Sequence, residues 1–223
     1  FSPIFSPKIK NNLRKRIYTS ILLLFLTLIV FGSHFLLTYV LIIASILSLI
    51  EFYTVINKIN LNKLINFISK LIFTLYIFLF SYIFFFFTSF INLKTIIFII
   101  LMGCIASDIG GYVVGKNVKG PKLTRISPKK TISGALGSII FTIITISILV
   151  NYVFDKFNFQ VLIISIITSL ACQIGDLFFS YLKRKAKIKD FSNYLPGHGG
   201  ILDRIDGIYF GIPAGIITFI FLI

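Results

Sequence analysis

The fold of this chain is decided by stretches such as residues 159–179, which read FQVLIISIITSLACQIGDLFF. Asp176 is the one charged side chain in that stretch. A helix of about 20 apolar residues crosses the hydrocarbon core of a bilayer, which is about 30 Å thick. Residues 159–179 therefore predict a transmembrane helix with a carboxylate near its end.

Similar apolar runs occur along the whole chain. Of its 223 residues, 57% are hydrophobic and 13% are charged, whereas a soluble domain is about half apolar and about a quarter charged. We therefore predict an all-α fold, a polytopic transmembrane helix bundle of about seven spans, within a range of six to eight. The predicted spans are residues 17–33, 35–56, 71–91, 94–114, 132–153, 159–179 and 207–223.

The chain is expected to form a single integral membrane domain over residues 1–223. Residues 1–99 would supply generic N-terminal spans, and residues 100–223 would form the catalytic half. Cys104 and Cys172 both lie inside apolar runs, so they predict packing and neither a disulfide nor a zinc site.

The net charge of +15 is concentrated in short segments between the apolar runs. If the N-terminus is cytoplasmic, 20 of the 22 Lys and Arg residues fall on the cytoplasmic side, as the positive-inside rule requires. The loops 116–131 and 181–206 are then cytoplasmic as well. The charge is expected to reflect this orientation in a bacterial inner membrane, and no nucleic-acid partner is predicted.

Asp108 and Asp176 are carboxylates within predicted spans. A carboxylate is costly in the bilayer unless it is paired or faces a wet cavity, which makes both residues functional candidates. The simpler alternative is a hydrogen bond between helices.

Polar groups are concentrated in two segments, Ser-Pro-Lys-Lys-Thr at 127–131 and residues 175–206. In the second, Asp176, Ser180 and Lys183 are spaced to share one helix face. A turn with the sequence LPGHGG at 195–200 follows, and then LDRID at 202–206. Carboxylates beside many cations favour Mg²⁺ bound together with nucleotide phosphates.

Residues 180–206, SYLKRKAKIKDFSNYLPGHGGILDRID, resemble the signature of the phosphatidate cytidylyltransferase (CDP-diacylglycerol synthase) family. The signature has the form S-x-x-K-R, four residues, K-D, and then P-G-H-G-G-x-x-D-R-x-D, and it fits without a gap. The resemblance covers about residues 100–215. Three features depart from the family: Ile132 and Ser133 replace its usual Trp-Glu, Gly207 replaces a serine, and the chain is short.

The resemblance implies that CMP is transferred from CTP to phosphatidate, with Mg²⁺ as cofactor; a second, monovalent cation is left open. It also implies roles for individual residues. The expected catalytic residues are Lys183, Arg204, Asp190 and His198. The expected substrate-binding residues are Lys116, Ser127, Lys129, Lys130, Ser180 and Arg184. The expected metal ligands are Asp176, Asp203 and Asp206, and Asp108 is a further intramembrane polar candidate.

The expected partners are CTP, phosphatidate and membrane lipids, and a homodimer is left open. Three other functions remain as alternatives. One is a CTP-dependent lipid kinase, which would use similar groups. The second is a cation or proton transporter that uses Asp108 and Asp176, and the third is a phosphatase-like remnant that has lost its activity.

Overall fold

The computed structural model describes residues 32–59, 61–124, 127–128, 130–155, 158–194 and 199–222. These residues form six helices, each long and apolar enough to cross a membrane. They are α1 (His34–Lys58), α2 (Lys63–Thr88), α3 (Ile91–Val118), α4 (Ile132–Phe154), α5 (Phe159–Lys185) and α6 (Leu202–Leu222). The predicted polytopic helical bundle is confirmed. The predicted span at 17–33 lies almost entirely outside the described residues.

Several helix boundaries differ from the predicted spans. The span predicted at 71–91 is α2, which begins at Lys63 and ends at Thr88. Helices α5 and α6 extend to Lys185 and begin at Leu202, so both run further into the predicted loop 181–206 than expected. Hydropathy marks the part of a helix that crosses the hydrocarbon, but the backbone hydrogen bonds continue through polar residues beyond it.

The described residues cluster into two compact units. The first comprises those of Phe1–Ser81 and Lys189–Arg204, and the second those of Tyr82–Ile188 and Ile205–Ile223. The segment before α6 thus groups with the N-terminal helices, although the chain separates them by more than a hundred residues.

In the first unit, α1 packs on the first half of α2. The rings of Phe52 and Phe73 are stacked with centroids 3.8 Å apart. The hydroxyl groups of Ser45 and Ser81 are 2.9 Å apart and share a hydrogen bond. Hydrogen bonds between small polar side chains hold helices together where apolar contact alone gives no preference over lipid.

In the second unit, α3 and α4 approach until their backbones touch. A Cβ atom on Gly110 would lie 2.6 Å from the carbonyl oxygen of Gly137, and one on Gly134 would lie 2.8 Å from that of Gly111. Such an approach is possible only for glycine. These glycines are therefore packing residues.

The glycines of α6 have the same function against α5. A Cβ atom on Gly211 would overlap the thiols of Cys172 and Cys104, and one on Gly215 would lie 2.7 Å from the Thr168 hydroxyl. Both cysteines are buried and free. They are packing residues, as the sequence predicted.

Candidate active site

A polar cavity of about 310 Å³ lies in the second unit. It is enclosed by α3, α4, α5 and the loop between α3 and α4. Its polar lining consists of Asp108, Tyr112, Lys130, Thr131, Ser138, Gln173 and Asp176. Ionisable groups that face a cavity inside a membrane bundle mark functional sites. Another cavity in this unit, of about 330 Å³, has no charged residue in its lining.

The loop between α3 and α4 positions Lys130. The backbone N–H of Leu123 donates to the carbonyl of Lys130 at 2.8 Å, and the N–H of Ile132 donates to the carbonyl of Pro121 at 3.0 Å. Thr131 then caps α4, because its hydroxyl accepts the backbone N–H of Gly134 at 3.1 Å. The backbone of Lys130 is therefore held between a paired loop and a capped helix.

Lys130 and Asp176 form an ion pair. The ammonium Nζ lies 2.8 Å from Oδ2 of Asp176, and the two side chains are 30% and 21% exposed. The pair joins the Ser-Pro-Lys-Lys-Thr segment to the polar segment 175–206, across 46 residues of the chain. Removing one partner of such a partly buried pair leaves the other charge without compensation, which is more costly than the net contribution of the pair itself.

Asp206 lies beside Asp176. Their carboxyl groups share a hydrogen bond, and Lys183 and Asp108 lie within electrostatic range of Asp206. The approach depends on glycine, since a Cβ atom on Gly207 would lie 3.1 Å from Oδ1 of Asp176. Two carboxyl groups this close repel each other when both are ionised, and a shared proton or a cation relieves that repulsion.

The remaining predicted residues of the second unit have the following surroundings. Lys116 is in the last turn of α3, with its ammonium over the ring of Tyr112. Ser127 accepts the backbone N–H of Lys130 through its carbonyl. Ser180 is half-buried on α5, and Arg184 is exposed in its last turn. Lys129 lies outside the described residues, and its predicted role is untested.

Asp203 and Asp190 belong to the first unit. Oδ2 of Asp203 accepts the backbone N–H groups of Phe191 at 2.8 Å and Gly200 at 2.9 Å. Asp190 and Arg204 are exposed. His198 lies outside the described residues, so nothing tests its predicted role.

The predicted metal ligands are thus found in two kinds of surroundings. Asp176 and Asp206 pair with each other, while Asp203 holds the backbone of the segment before α6. Within the described ranges, no three His, Cys, Asp or Glu side chains group as a metal site. The three-aspartate assignment stays a prediction.

Glu51 was not predicted as a site residue, although it is the most enclosed carboxylate of the first unit, at 1% exposure. Its carboxylate accepts the Ser192 hydroxyl at 2.5 Å, the Ile201 N–H at 3.0 Å and the Leu202 N–H at 2.7 Å. Glu51 lies within the predicted span 35–56. The criterion that selected Asp108 and Asp176, a carboxylate inside an apolar run, would have found it too.

Comparison with known proteins identifies the family of the chain. A sequence profile of the family described as "Cytidylyltransferase family" matches residues 8–222. Among individual relatives, "Phosphatidate cytidylyltransferase" of Mycobacterium leprae is 35% identical over 127 residues, which are 56% of this chain and 40% of the relative. The proteins of the same name from Helicobacter pylori and Rickettsia felis are each 40% identical. Their matches cover 50% and 52% of this chain, and 42% and 56% of the relatives.

The matched region therefore spans about half the length of these relatives. The profile match, in contrast, covers nearly the whole chain and includes both segments that meet at Lys130 and Asp176. The resemblance found in residues 180–206 is confirmed, and the chain belongs to the cytidylyltransferase family.

Proposed function

We propose that this chain transfers CMP from CTP to phosphatidate, giving CDP-diacylglycerol and pyrophosphate. A phosphate oxygen of the lipid would attack the α-phosphorus of CTP, and the bond from that phosphorus to the pyrophosphate oxygen would break. The observation that carries the proposal is the Lys130–Asp176 pair at a polar cavity in an apolar bundle. Charged side chains at such a cavity could bind the phosphate groups of both the lipid and the nucleotide.

The residues present suit a Mg²⁺ ion. Mg²⁺ in nucleotide enzymes is held by one or two carboxylates together with substrate phosphates. Asp176 and Asp206 offer two carboxyl groups in contact, so we propose them as its ligands. When bound, the ion would neutralise phosphate charge and polarise the phosphorus–oxygen bonds.

The chain's own cations would act on the phosphates. The Lys130 ammonium is paired with the Asp176 carboxylate. If it turned toward a phosphate, it would exchange one negative partner for another. Lys183, near Asp206, would add a second positive charge. Transfer at phosphorus depends mainly on positioning and charge stabilisation, so these residues need not react covalently.

The test is an assay of purified protein with CTP labelled in the α-phosphate and with phosphatidate in mixed micelles. We expect labelled CDP-diacylglycerol and one equivalent of pyrophosphate. A CTP-dependent lipid kinase would instead release labelled CDP and phosphorylate the lipid. If the folded protein forms neither product, the proposed activity is wrong, and the replacements at Ile132 and Ser133 are the first residues to restore to the family pattern.

We also propose that the chain lies in the bacterial inner membrane with the segments after α3 and α5 in the cytoplasm, where CTP is found. The support is the distribution of Lys and Arg. Lys122 and Asn193 are exposed in these two segments. Cysteines introduced there should resist a membrane-impermeant thiol reagent in intact cells and react after permeabilisation. Labelling of intact cells would reverse the orientation.

A further inference from the structure

We infer that Glu51 is a positioning residue for the segment that precedes α6. The expected effect of Glu51 on catalysis rests on the proposed function, whereas its contact with this segment does not. Glu51 lies on α1, in the part of the chain that carries no family signature. Its three hydrogen-bond donors all lie in the segment 192–202, about 150 residues later.

The contact places a negative charge at the start of α6. The first backbone N–H groups of a helix have no partner within the helix and carry partial positive charge. The N–H groups of Ile201 and Leu202 donate to opposite oxygens of the Glu51 carboxylate. An anion at a helix N-terminus is often a bound phosphate, but here the protein's own carboxylate has that position.

The fit leaves no room for a side chain at residue 200. A Cβ atom on Gly200 would lie 2.6 and 2.7 Å from the two carboxylate oxygens of Glu51. The backbone angle of Gly200 is one that alanine also adopts, in contrast to Gly199 with φ of 82°. The glycine at 200 is therefore required by the proximity of Glu51.

Glu51 and Asp203 hold the same segment from two sides. Asp203 accepts the N–H groups of Phe191 and Gly200, and Glu51 accepts those of the next two residues, Ile201 and Leu202. Three consecutive N–H groups are thus bound by carboxylates. Hydrogen bonds to charged acceptors are about twice as strong as neutral ones. We infer that this double attachment fixes the conformation of the signature segment, which carries Asp190 and precedes Arg204.

The test compares Glu51→Gln with Ser45→Ala. Ser45 is also buried on α1, but its hydroxyl bonds Leu41 and Ser81 and does not contact the signature segment. In Glu51→Gln the amide NH₂ would face a donor. We expect amide hydrogen exchange in residues 189–204 to rise about tenfold or more and kcat to fall about ten- to a hundredfold. The exchange elsewhere should stay close to that of the parent protein. The melting temperature should fall, because the buried side chain loses the charge that strengthens its three hydrogen bonds. Ser45→Ala should change neither kcat nor exchange in this segment.

Each outcome bears on a different claim. If exchange in residues 189–204 is unchanged in Glu51→Gln, the inference is wrong. If exchange rises but kcat is normal, Glu51 is structural only and the positioning role is wrong. If the parent protein shows no cytidylyltransferase activity while exchange rises in Glu51→Gln, the proposed function fails and the attachment of the segment by Glu51 stands.

A pair of variants covers the case in which Glu51→Gln does not fold. Gly200→Ala should impair the protein because its methyl group meets the carboxylate. Glu51→Asp, with a shorter side chain, makes room for that methyl group. The double variant should therefore be less impaired than the sum of the two single changes predicts. Additive losses in kcat and in melting temperature would contradict the contact.

Discussion

The two units of this molecule stabilise their carboxylates in different ways. In the first, Glu51 and Asp203 accept hydrogen bonds from backbone N–H groups and a serine hydroxyl. In the second, Asp176 pairs with the Lys130 ammonium and with the Asp206 carboxyl group. Backbone donors cannot leave without a change in the chain's conformation, whereas a lysine or a second carboxyl group can exchange its partner for a ligand. We propose that the first arrangement serves structure and the second serves binding.

The largest effect is expected for Asp176→Asn, which removes the charge that faces both Lys130 and Asp206. We expect turnover to fall several hundredfold. This corresponds to a loss of about 3–4 kcal/mol of transition-state stabilisation, as for a metal ligand or a preorganised charge. The measurement is turnover against Mg²⁺ concentration, with folding checked by thermal melting.

The matched control for that variant is Asp155→Asn. Asp155 is an exposed carboxylate that ends α4 in the left-handed conformation. The same change of charge there should leave turnover unaltered. Normal turnover and normal Mg²⁺ dependence in Asp176→Asn would show that Asp176 is not part of the site. The proposed difference between the carboxylates of the two units would then be wrong.

A somewhat smaller loss of turnover is expected for Asp206→Asn. It corresponds to about 2–3 kcal/mol of transition-state stabilisation. The fold should not be weakened, because the asparagine amide can donate to the Asp176 carboxylate in place of the hydrogen bond that the two carboxyl groups share. The melting temperature should equal or exceed that of the parent protein. A marked fall in melting temperature with normal turnover would place Asp206 among the structural carboxylates.

The opposite result is expected for Asp203→Asn. The amide oxygen can still accept the N–H groups of Phe191 and Gly200, but without the charge that strengthens both bonds. We expect a loss of about 1–2 kcal/mol in the free energy of unfolding. A denaturant titration of the detergent-solubilised protein measures it. If stability is unchanged and the Mg²⁺ dependence is lost, Asp203 is a metal ligand, as the sequence predicted.

The smallest effect is expected for Thr131→Ala, which removes the cap of α4 beside Lys130. Loss of a threonine cap costs about 1 kcal/mol in stability. Thr131→Ser keeps the hydroxyl and should melt like the parent protein. Equal melting of the alanine and serine variants would show that the loop, and not the cap, holds Lys130 in place.

The sequence determined the helices and the family by itself. Within a bilayer each segment must satisfy its backbone hydrogen bonds internally, so runs of apolar residues specify helices with little help from the rest of the chain. The six described helices correspond to six of the seven predicted spans, and the errors were in their ends, where polar residues continue the helix. The signature from Ser180 to Asp206 identified the family because its residues are adjacent in sequence.

Only the tertiary structure decided which charged groups meet. Lys130 and Asp176 are 46 residues apart, and Glu51 and Leu202 are 151 apart. Asp203 and Asp206 are three residues apart and looked equivalent in sequence. Asp203 bonds the N–H groups of Phe191 and Gly200, whereas Asp206 accepts the N–H of its neighbour Gly207 and lies beside the Asp176 carboxyl group. Local sequence specifies a helix, but the partner of a side chain depends on which helices pack together, and glycines at the contacts set how closely they approach.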